Sequence, residues 1–90
     1  MAKSVWKFPI AIEDQQDVRM PSGAEILSVQ FQRDQLCLWA LADPIEMLHL
    51  RRIYIYGTGR PVPRGDIRFI GTAQQMGGAL VWHIFEEILR

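Results

Sequence analysis

At 90 residues the chain has room for one small domain, residues 1–90, which buries roughly 60% of the surface its unfolded form exposes and leaves no material for a second core. Lys plus Arg and Asp plus Glu stand at 10 each, a formal net charge of zero, which argues against a nucleic-acid polymer as the main partner. Apolar residues make up 49% of the chain, yet no run approaches the roughly 18 residues of a membrane span and MAKSVWKFPI holds no signal-peptide core, so a soluble protein that stays in the cytoplasm is expected.

Trp6, Phe8 and Ile10 alternate with Lys7 and Pro9, which predicts a first strand that Pro9 confines to an edge or to the strand's own end. The acidic EDQQD, Glu13 to Asp17, is expected as a solvated loop rather than an acid/base pair. Val18 to Met20 reads as a short strand stopped by Pro21-Ser22-Gly23, which has turn chemistry. From Ala24 to Gln32 the period is two: Leu27, Val29 and Phe31 share one side, expected to contribute to the core or an interface, and Ser28, Gln30 and Gln32 the other.

Arg33-Asp34 is short enough to close a hairpin onto Gln35–Leu41. That run carries the lone Cys37, expected as a small buried hydrophobe in a reducing compartment. Ala42-Asp43-Pro44 ends it, and Ile45 to Leu50 fits either one helical turn or the approach to a strand. Arg51 to Tyr56 is β-branched and aromatic and predicts a strand, with Tyr54 and Tyr56 on one face and Ile53 and Ile55 on the other.

Ile67 to Gln75 is a further predicted strand, Met76-Gly77-Gly78 a turn and Ala79 to Phe85 the last strand, while EEILR fits a frayed end or a short C-terminal helical turn. Strands of this length and spacing predict an all-β fold, a small antiparallel sandwich or barrel of about six or seven strands. Trp6, Trp39 and Trp82 lie in its apolar strands and are expected as core or interface anchors. An apolar fraction this high in so small a chain also predicts a homo-oligomer.

The connection Gly57-Thr58-Gly59-Arg60-Pro61-Val62-Pro63-Arg64-Gly65-Asp66 is longer than a hairpin needs. Two glycines flanking a threonine let backbone N–H groups converge on an anion, Thr58 adds a hydroxyl, and Arg60 and Arg64 add bidentate charge. The two prolines stiffen the segment and lower the entropy lost on binding. The bland alternative is a structural connection built from ordinary loop residues. The segment matches neither the phosphate-binding P-loop nor the GxGxxG dinucleotide fingerprint. Tyr54 and Tyr56, just before it, suit either stacking on a base or half-buried packing.

His49 and His83 are the only imidazoles, and no metal-ligand spacing, nucleophile elbow or cofactor motif is present, so neither a metal nor a cofactor is expected and an enzyme is the minority reading. The candidate ligand residues are Tyr54, Tyr56, Gly57, Thr58, Gly59, Arg60, Arg64 and His83.

VWKFPI, ILSVQ, LWALADP, IYGTG followed by a basic residue and proline, FIGT and GGALVWHIFE together resemble a family of small proteins encoded in tailed-phage and prophage genomes, over nearly the whole chain. In that family the residue after GTG is often His, where this chain has Arg60. The resemblance implies an origin, a phage accessory protein in an infected bacterial cytoplasm, and assigns no catalytic residue. With the Gly-Thr-Gly-Arg loop beside two tyrosines, the expected function is non-catalytic capture of a small anionic ligand, such as a cyclic nucleotide messenger of antiphage defence. The alternative is a module that binds a host or phage protein.

Overall fold

Alternation of buried and exposed residues becomes seven strands in a computed structural model that describes residues 2–89. They are β1 (Ser4–Pro9), β2 (Gln15–Pro21), β3 (Glu25–Gln32), β4 (Gln35–Ala42), β5 (Leu48–Gly57), β6 (Ile67–Gln75) and β7 (Leu80–Glu87). All pairings are antiparallel, in a three-stranded sheet of order β1-β4-β3 and a four-stranded sheet of order β2-β5-β7-β6. The prolines sit where a missing N–H is cheapest: Pro9 and Pro21 each end an edge strand.

The core lies between the sheets. Val29, Leu36, Leu38 and Ala40 come from the smaller sheet; Met20, Ile53, Ile55, Ala73 and Ile84 come from the larger. Trp6, Phe8, Phe31 and Trp82 pack around this centre. β3 and β6 run close together, and a Cβ built on Gly71 would stand 2.8 Å from Val29 Cγ1, so the sheets meet there at a distance only glycine permits.

The β3–β4 hairpin turns at Arg33, whose φ of 57° is the left-handed conformation such a turn demands. Between β6 and β7, Met76–Gly78 forms a single 3-10 turn in which Met76, Gly77 and Gly78 all have positive φ.

Four expectations are corrected or narrowed. Leu27 is 49% exposed, because a bulge between Ile26 and Ser28 inserts one residue and passes the core side to Ile26, Val29 and Phe31. Of the two places expected for Trp39, core or interface, the core belongs to Leu38 and Ala40 on either side of it, while Trp39 pairs with Lys7 and Ser28 on the outer face of its sheet. Gln15 to Asp17 belong to β2, pairing with Tyr54 to Arg52, so the acidic stretch is part strand. Glu86 and Glu87 continue β7 and Ile88 and Leu89 follow without helix; the last residue of the EEILR reading, Arg90, lies outside the described residues. Cys37 is free and 1% exposed, buried as expected.

Candidate functional site

Alternation along β5 decides which side chains leave the core. Ile53 and Ile55 are buried against it, so Tyr54 and Tyr56 lie on the outer face of the four-stranded sheet, where Tyr54 is half-buried and Tyr56, covered by its neighbours, is only 8% exposed. Antiparallel register then sets their neighbours: Tyr54 lies opposite Phe85, which lies opposite Phe69, and Tyr56 lies opposite His83, which lies opposite Thr72. The first row is aromatic throughout. Tyr54 and Tyr56 stack at 6.3 Å with 13° between planes, Tyr56 meets Phe85 at 6.4 Å, and Phe85 meets Phe69 edge-on at 5.6 Å.

The second row is polar. Thr58, one residue past β5, places Oγ1 2.8 Å from His83 Nε2, while Thr72 Oγ1 lies 3.1 Å from His83 Nδ1. A neutral imidazole donates from one nitrogen and accepts at the other, so one threonine hydroxyl donates to the ring and the other accepts from it. The two hydroxyls thereby hold the ring in one orientation beside the aromatic row.

The loop beyond Thr58 opens with a tight turn: the Arg60 N–H donates to the Gly57 carbonyl at 3.1 Å, and Gly59, third in that turn, has φ of 87°. Gly59 is therefore required by the backbone, and the Arg60 N–H is spent within the turn. Gly57 ends β5 against the Trp82 ring, 3.6 Å from a Cβ placed there. The Arg60 guanidinium lies 3.6 Å from the Asp14 carboxylate, both exposed, in a pair worth little to stability. Burial pushes the Tyr56 phenol above its ordinary value, the negative charges of Tyr54 and Asp14 add to this, and Arg60 opposes them.

Of the residues singled out in the sequence, Tyr54, Tyr56, Thr58 and His83 converge on this face, with Gly57, Gly59 and Arg60 shaping its rim. Arg64 is exposed in the segment before Ile67, and among the described residues no hydrogen bond or ion pair joins it to the His83 group. Thr72, Phe69, Phe85 and Asp14 also belong to the surface and were not anticipated as parts of it. The register of β7 against β5 and β6 unites Thr72, Phe69 and Phe85, while Asp14 arrives from the approach to β2, its carbonyl accepting from the Ile55 N–H at 3.2 Å; no local motif encodes either placement.

Elsewhere on this face Arg52 donates to Asp17 Oδ1 at 3.0 Å, and that bond followed by the Asp17 charge raises the guanidinium above its ordinary value. Among the described residues no group of His, Cys, Asp and Glu is placed to hold a metal ion, and no helix is long and apolar enough to cross a membrane.

No curated protein and no solved structure matches the chain. The profile of one family, described as a domain of unknown function (DUF7352), matches residues 1–90, and the chain belongs to that family.

Proposed function

We propose that this protein is a phage accessory factor that captures a small anionic ligand in the cytoplasm of the infected host and holds it without turnover. The ligand class we favour is a nucleotide second messenger of antiphage defence. The observation that carries the reading is His83, held between the Thr58 and Thr72 hydroxyls at 2.8 and 3.1 Å beside the Tyr54–Tyr56 stack. A base needs an aromatic surface, and a phosphate needs hydrogen-bond donors and a cation close by. Tyr54, backed by the Tyr56 ring, answers the first requirement; Arg60 supplies the cation, and the threonine hydroxyl that accepts from the His83 ring keeps its own O–H to donate. A sheet face is shallow, so a second copy facing the first would close the site, which favours a homo-oligomer.

Phe69, 58% exposed at the end of the aromatic row, favours a second reading, in which the same face docks a host or phage protein. Thermal denaturation with a panel of cyclic and linear nucleotides separates the two. Capture predicts stabilisation of roughly 2.7 kcal/mol at about 100 times the dissociation constant, with the ligand recovered intact by chromatography. A melt that no nucleotide moves gives precedence to protein docking, and recovery of a cleaved nucleotide makes the protein an enzyme.

A further inference from the structure

On the opposite side of β7 from His83, Glu86 points into the sandwich and is 4% exposed. Arg51 Nη2 donates to its Oε1 at 2.9 Å and Arg51 Nε to its Oε2, while Arg68 Nη2 donates to Oε1 at 2.7 Å. Arg51 also donates to the Ala24 carbonyl and to Met20 Sδ, so all but one of its five N–H donors are committed. These three side chains border a cleft of about 680 Å³ between the start of β3 and the adjoining ends of β5, β6 and β7, a size typical of small-molecule sites.

We infer that this cleft is a second binding site, for a small amphipathic carboxylate whose head meets Arg68 and whose apolar body lies along Ile26, Ile70 and Ile88. One guanidinium bonded through two nitrogens already neutralises Glu86, so a purely structural ion pair needs nothing more. Arg68 adds a second positive charge on the same carboxylate. Its side chain is 59% exposed, and among the described residues only Nη2 is engaged, leaving most of the five guanidinium N–H donors available at the cleft. Arg52 is answered by Asp17 at 3.0 Å, and of the other carboxylates at the cleft Glu25 is exposed, where solvent screens it, and Glu87 is half-buried, so the head group is held by the Arg68 N–H donors rather than by a net positive cleft.

The apolar half of the match comes from Ile26 and Ile70, packed against the core, and from Ile88, 38% exposed at the lip. A bare anion leaves those side chains wet, and a neutral chain gives the Arg68 N–H groups not bonded to Glu86 no charged acceptor.

The test is titration of the full chain with sodium octanoate below its micelle concentration, followed by amide NMR. Saturable shifts confined to residues around Ala24–Ile26, Arg68–Ile70 and Ile88 are expected, with acetate and 1-octanol each binding at least about 10-fold more weakly. Arg68→Gln and, independently, Ile88→Asp, which sets a like charge at the lip without touching the Glu86 pair, should each weaken octanoate by about 10-fold or more. Arg60→Ala should leave it unchanged. Unsaturable or scattered shifts, equal binding of octanol, or full affinity in folded Arg68→Gln and Ile88→Asp would overturn the assignment. The outcome is independent of the nucleotide melts, which report on the other face of the sheet.

Discussion

Gly71→Ala probes how closely the two sheets approach. The new methyl would stand 2.8 Å from Val29 Cγ1, well inside the 3.4 Å at which ordinary contact begins. Val29 is 6% exposed and branched at Cβ, so it cannot swing clear without leaving its rotamer or shifting β3. Overpacking of this kind costs about 1–3 kcal/mol. Replacing a strand glycine by alanine recovers about 0.5–1 kcal/mol of backbone entropy. The net expectation is a loss of about 1–2 kcal/mol, or a fall in Tm of roughly 4–15 °C for a domain of this size.

Urea unfolding of Gly71→Ala, Val29→Ala and the double variant supplies the assay. Val29→Ala alone should cost about 2 kcal/mol through the cavity it leaves. In the double variant the alanine methyl at 71 occupies part of that cavity, so the two changes together should cost at least about 1 kcal/mol less than their sum. Additivity within about 0.5 kcal/mol, or a Gly71→Ala variant more stable than the parent, would refute the close approach as the reason glycine stands there.

Glu86→Gln should destabilise by about 3–5 kcal/mol, because it leaves the Arg51 guanidinium, 10% exposed, without its counter-charge. Burial by itself pushes the Glu86 carboxyl up, but the hydrogen bonds from Arg51 and Arg68 and their charges outweigh it and hold the group below its ordinary 4.5. Its contribution is therefore full above pH 4.5 and lost as pH falls through the lower folded value, so chemical denaturation across the acid range should show a shallower acid limb in the glutamine variant. Arg33→Gly, at φ 57°, should raise stability by about 1 kcal/mol through relief of left-handed strain, measurable as a higher urea midpoint at unchanged slope. Arg60→Ala and Thr72→Val should each weaken a bound nucleotide by roughly 10-fold or more while moving Tm little, and calorimetry showing unchanged affinity in both would remove them from the site.

Local pattern carried much of the fold. The run from Arg51 to Tyr56 assigns Ile53 and Ile55 inward and the tyrosines outward because a strand's period is two, and β6 has the bounds its residues suggest. The pattern failed where that period is broken or where the partner is remote. The bulge at Leu27 adds one residue, and nothing in ILSVQF marks where it falls. The outward facing of Trp39 was not legible because QLCLWALA is apolar at nearly every position, leaving no alternation to choose between its faces.

The same division runs through the site. Thr58 and the tyrosines are near neighbours in the chain, whereas Thr72 and His83 meet Thr58 only across two strand pairings. The Arg51–Glu86 pair spans 35 residues, and composition registers it only as two of many charges.

β7 follows every other strand in the chain yet lies between β5 and β6 in its sheet. As the polypeptide leaves the ribosome, β5 and β6 emerge with no bond to make to each other. Each carries an unfilled row of amide and carbonyl groups until the final strand slides between them. The β3–β4 hairpin and its β1 neighbour can assemble earlier, from strands already present. Nascent chains stalled before residue 80 should therefore hold half a molecule in order and expose two sticky edges, a window in which a chaperone or a second nascent copy competes with the chain's own last strand.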